Sequence, residues 1–150
     1  MAESKPENSP DPSRVVADAD VLAAALLVDG SAREALSLVR QHSWMNLVAS
    51  DQLLSDAQAV ISDLTSEDLA RDWRTAIERE RIPVEHPEGD HPGLASAYRG
   101  NAAQLLTFDE RLTSARANLS IQPHAKLSIR PPDAFVLVFD AERLKQSLAE

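Results

Sequence analysis

The stretch RVVADADVLAAALL, residues 14–27, joins a β-branched apolar run to an alanine- and leucine-rich segment, and two aspartates, Asp18 and Asp20, stand at the junction. Residues 15–17 read as a short buried strand, and residues 20–27 read as helix. A strand that passes so directly into a helix is the first half of a strand–helix–strand unit. The rest of the chain repeats the alternation. Gly30 breaks the first helix, and Ser31 is placed to cap a second one reaching about Gln41. NLVA at 46–49 reads as a second strand. Ser50 then caps a helix with Leu53, Ala57, Val60, Ile61 and Leu64 on one stripe. Thr65 and Ser66 open another, with Glu67 and Asp68 in its first turn and Leu69, Trp73 and Ile77 spaced by four.

IPVE at 82–85 allows a short strand, and HPEGDHPG at 86–93 is a turn cluster. A helix to about Arg99 follows, then AQLLT at 103–107 as a strand. Asp109 ends that strand and opens a short helix. KLSI at 126–129 is the last strand expected, and Pro131 and Pro132 suit the first turn of a helix containing Phe135 and Phe139. The chain from Ala141 reads as helical. Short apolar strands alternating with helices predict an α/β fold, a three-layer α/β/α sandwich around a mainly parallel sheet. Residues 1–13, MAESKPENSPDPS, are polar and proline-rich and read as a disordered tail. Residues 14–150 then form a single domain.

The sequence has 24 acidic and 15 basic residues, a net charge of −9, and no cysteine. Disulfides and thiolate metal sites are excluded. Only Lys5, Lys126 and Lys145 are lysines. An acidic, lysine-poor composition resembles that of proteins from salt-loving organisms, and an ordinary acidic protein fits it equally. No apolar run approaches the roughly 20 residues of a membrane span, and the N-terminus is no secretory signal, so a cytoplasmic protein without membrane contact is expected. Whole-surface binding to nucleic acid is disfavoured. The segment 99–130 is locally basic, however: Arg99, Arg111, Arg116, Lys126 and Arg130 stand against Asp109 and Glu110, a net of +3. The histidines (His42, His86, His91 and His124) read as surface residues, with His91 the one beside the expected cleft. Trp44 and Trp73 read as core.

Ligands of parallel sheets bind at the carboxyl ends of the strands. Asp18 and Asp109 each follow a strand. Asp56 falls at the flank of the stripe on the helix after Ser50, about 90° from its centre. Asp90 starts the helix that leads into QLLT. Four aspartates from four elements are thus expected at one edge. Such charges repel and raise each other's pKa unless paired. No lysine lies near any of them in sequence, so Mg²⁺ or Mn²⁺ is the natural partner for carboxylate oxygen. Each aspartate also has a plain structural role open to it, as a helix cap, a turn residue or a solvated helix residue.

These segments resemble the motifs of PIN-domain nucleases. VVADADVLAAALL at 15–27 is similar to their opening motif, SDQLLSDAQAVI at 50–61 to the second, and DHPGLASAYRGNAAQLLTFDERL at 90–112 to the third and fourth. The likeness runs from about Arg14 to Phe139. It implies that Asp18, Asp56, Asp90 and Asp109 are the catalytic metal-binding acids, with Asp20 and Thr107 as supporting polar residues. It implies Mg²⁺- or Mn²⁺-dependent phosphodiester hydrolysis, most often of RNA, with the metal activating water for in-line attack. Arg99, Arg111 and Arg116 would contact the nucleic acid. A toxin-like role with an antitoxin-like protein partner accords with the resemblance, and a homodimer is compatible with it. The sequence departs from the family at three points: Asp56 replaces the usual Glu, Asp20 stands where Asn is frequent, and HPG follows the third acid in place of apolar residues. A catalytically weak or inactive PIN-like interaction module is therefore a rival reading. DADVL also resembles the nucleophile motif of haloacid-dehalogenase-like phosphatases. That family usually has Thr or Val where this chain has Leu22, and its downstream lysine and paired acids have no convincing counterpart here.

Overall fold

The structure is a computed structural model that describes residues 10–113, 127–139 and 148. Strands β1 (Asp11–Ala17), β2 (Asn46–Ser50), β3 (Ile82–Val84), β4 (Ala102–Leu106) and β5 (Ser128–Arg130) form one sheet in the order β3-β2-β1-β4-β5. All four pairings are parallel. The helices are α1 (Ala19–Leu27), α2 (Ser31–Gln41), α3 (Asp51–Leu64), α4 (Glu67–Glu80), α5 (Pro92–Arg99), α6 (Glu110–Thr113) and α7 (Pro132–Val138). The chain steps from β1 to β3 in one direction and returns across β1 to β4 and β5 in the other. Right-handed crossovers then send α1–α4 to one face and α5 to the opposite face, which gives the expected three-layer α/β/α sandwich. The order reverses between β1 and β4, and the carboxyl ends of those two strands flank the switch point.

The central strands are apolar on both faces, because helices cover both. Val15, Val16, Val48, Leu105 and Leu106 have no exposed surface. Each such side chain contributes about 1.5–3 kcal/mol on burial. Leu22, Leu36, Leu53 and Leu54 from α1–α3 and Phe135 from α7 join the same core. Ser50 and Ser66 cap α3 and α4 as expected, their hydroxyls accepting from the N–H of Leu53 and Leu69. The polypeptide turns out of α5 through Asn101, whose φ of 56° lies in the left-handed region that Asn tolerates.

Several local expectations are corrected. Strand β1 begins at Asp11, so 11–13 are not tail. The Asp11 N–H donates to the Asn101 carbonyl, and Asp11 Oδ1 accepts from the N–H and hydroxyl of Ser13. Polar residues hide this half of the strand, and the register with β4 is irregular between Asp11 and Val15. Residues 1–9 lie outside the described residues, as does the helix expected from Ala141, apart from Leu148. The N-cap of α2 is Gly30, which has no side chain to bond, and Ser31 is already helical. On α3 the buried side chains are Leu53, Leu54, Ala57 and Ile61, whereas Val60 and Leu64 are exposed. On α4 Leu69 is exposed and Ala70 is buried instead. Phe139 lies just past α7, against Phe135 and His42 at 5.3 and 5.4 Å between ring centroids. Trp44 and Trp73 are half-buried and pack against the core.

Candidate functional site

Register builds the site. In the β1–β4 ladder Ala17 pairs with Leu106, so the next residues, Asp18 and Thr107, leave the sheet side by side. The Asp18 N–H continues the ladder to the Leu106 carbonyl at 2.8 Å. The fully buried Thr107 hydroxyl donates to Asp18 Oδ2 at 3.0 Å and accepts from the Asp109 N–H at 3.1 Å. One hydroxyl thus orients the carboxylate at the end of β1 and the loop after β4.

Asp18 is also the N-cap of α1, its Oδ1 accepting from the Ala19 N–H at 3.0 Å. The first turn of α1 brings Asp20 back to the same edge, where Oδ2 accepts from the Phe108 N–H at 3.1 Å. Asp20 Oδ1 is buried and has no hydrogen-bond partner. Burial pushes the Asp20 carboxyl above its ordinary 3.8, and Asp18 and Asp109 push the same way against the N–H groups of Phe108 and Val21. Asp109 behaves oppositely. Its hydrogen bonds from the Arg111 side chain and backbone hold it below 3.8. Arg111 grips it in a fork, Nη2 to Oδ2 at 3.0 Å and Nε to Oδ1 at 3.2 Å. These three carboxylates, Asp18, Asp20 and Asp109, form one electrostatic group.

Helix α5 presents its N-terminus to them. His91, not Asp90, is its N-cap, with Nδ1 accepting from the Leu94 N–H at 3.3 Å. Its Nε2 lies 3.9 Å from Asp18 Oδ2. Gly93 lies so close that a Cβ there would stand 2.7 Å from Asp18 Oδ1. The absence of a side chain lets the helix end approach the carboxylate.

Asp56 is exposed on α3 and Asp90 is exposed in the turn before His91. Among the described residues no hydrogen bond or ion pair joins either to the trio. Arg99 ends α5, about 10 Å along the helix from its start. Arg111 is at the site, on Asp109. Arg116 lies outside the described residues. Among the described residues, no three His, Asp or Glu side chains are grouped so as to hold a metal ion.

A second polar cluster escaped sequence reading. His86 is buried, not on the surface, with Nε2 2.8 Å from the Ser50 hydroxyl and Nδ1 2.9 Å from the Pro87 carbonyl. Ser96 of α5 accepts from the Ser50 N–H at 3.1 Å. Ser50 and Ser96 have no exposed surface, so this cluster ties β2, α3 and α5 together and offers no reactive group to a ligand. No local pattern announces it, because His86 and Ser50 are 36 residues apart.

Fold and site define an open, doubly wound α/β domain with carboxylates at its switch point. The chain belongs to the family of unknown function DUF7384, which matches residues 9–150. No curated protein and no solved structure matches it. Among the described residues no helix is long and apolar enough to cross a membrane.

Proposed function

We propose that this chain is a divalent-metal-dependent nuclease of PIN type that hydrolyses phosphodiester bonds in RNA. The observation that carries the reading is the Asp18–Asp20–Asp109 group at the carboxyl ends of β1 and β4. Burial, and after it the like charges there, raise the Asp20 carboxyl, and its Oδ1 is buried without a partner. A buried carboxylate oxygen lacking a donor is costly unless a cation meets it. Hard oxygen donors suit Mg²⁺ or Mn²⁺. As they stand, Asp18, Asp20 and Asp109 form no three-carboxylate metal group; Asp20 and Asp18 would be the first donors to an ion, with Asp109, Asp56 and Asp90 as the further donors expected from the resemblance. When bound, the ion supplies positive charge to a phosphate undergoing in-line displacement. Thr107 keeps the Asp18 carboxylate aimed at the cleft. Arg111 has to leave Asp109 to meet a phosphate through its fork of N–H groups.

The test is Mn²⁺ titration followed by thermal unfolding. Binding stabilises by RT ln(1 + [L]/Kd), about 2.7 kcal/mol at a hundredfold excess over Kd. Asp18→Asn is expected to abolish both this gain and RNA cleavage. No gain in the native protein, or an undiminished one in the variant, overturns the proposal. The rival reading, a PIN-like interaction module with little catalysis, draws on the Arg111 grip on Asp109 and on the exposed positions of Asp56 and Asp90. It expects no Mn²⁺ response.

A further inference from the structure

We draw no further inference here: the strongest candidate, the open apolar cavity that Leu36, Val39, Met45 and Leu47 line between the end of α2 and the start of β2, with Arg40 and Glu80 at it, is an unpartnered face, and nothing in the structure shows what covers it.

Discussion

The close approach of α5 to Asp18 makes a sharp prediction for Gly93→Ala. The new Cβ would stand 2.7 Å from Asp18 Oδ1 and 3.0 Å from its Cγ, where ordinary contact begins at 3.4 Å. Several tenths of an ångström have to be found. The carboxylate cannot swing away freely, since Thr107 and the Ala19 N–H hold its two oxygens at 3.0 Å each. Either one of those hydrogen bonds breaks, at about 1–3 kcal/mol for a charged acceptor, or α5 shifts, at a similar overpacking cost of about 1–3 kcal/mol. For a chain of this size that is a fall in melting temperature of roughly 3–10 °C. The decisive measurement is a double-mutant cycle with Asp18→Ala, read by urea unfolding. Without the carboxylate the nearest atom left is His91 Cε1 at 3.2 Å, on an exposed ring that can give by a few tenths of an ångström, and the better helix propensity of alanine offsets that, so the second substitution becomes about neutral. The two changes should therefore couple by at least about 1 kcal/mol. Equal costs of Gly93→Ala in both backgrounds would refute the reasoning, because the strain would then lie elsewhere.

Asp20→Asn tests the buried carboxyl. The folded state raises the Asp20 pKa above its ordinary 3.8, so the native protein binds more protons than the unfolded chain between that value and the raised one. Native stability is then lost as pH rises through this window, and the loss persists at neutral pH. The asparagine variant should therefore be more stable than native protein at pH 7 and lose that advantage below the ordinary carboxyl range; an equal difference at every pH in melting scans would contradict this. Thr107→Val removes the hydroxyl joining Asp18 to the Asp109 N–H and should cost about 1–3 kcal/mol in urea unfolding. It should also weaken Mn²⁺ binding, whereas an unchanged Mn²⁺ response would mean that Thr107 does not position the carboxylates.

The strands were legible where the chain is apolar on both faces. VVA, NLVA and QLL stand out because short continuous apolar runs, too short for a helix, suit a sheet buried on both faces. Sequence reading stopped short at Asp11–Ser13, where the strand is polar and is held by a side chain bonding its own backbone. It misassigned the start of α5, because Asp is the commoner cap and His91 caps through a ring nitrogen that composition does not announce. Burial of His86 depends on a hydroxyl 36 residues away and had no local signal. Arg99 was grouped with Arg111 by proximity along the chain, and in the fold it stands at the far end of α5 from the helix start that meets Asp18.

The site was half legible for a related reason. Strand ends mark Asp18 and Asp109, but what joins them is the pairing of Ala17 with Leu106, and register between strands 89 residues apart is invisible to pattern reading. Asp20 was expected to play only a supporting part. In the folded chain Asp18 is met by Ala19 and Thr107, and Asp109 is met by Arg111. Both carboxylates thus have a donor on each oxygen, as structural caps would. Asp20 alone keeps a buried oxygen without a partner, and its carboxyl is raised while that of Asp109 is lowered. A purely structural junction between strand and helix is complete with Asp18. The second aspartate adds repulsion, and the Arg111 guanidinium lies across Asp109 rather than Asp20. A fold that keeps this imbalance at its switch point is one in which an external cation has something to satisfy, and Asp20 is where that argument is strongest.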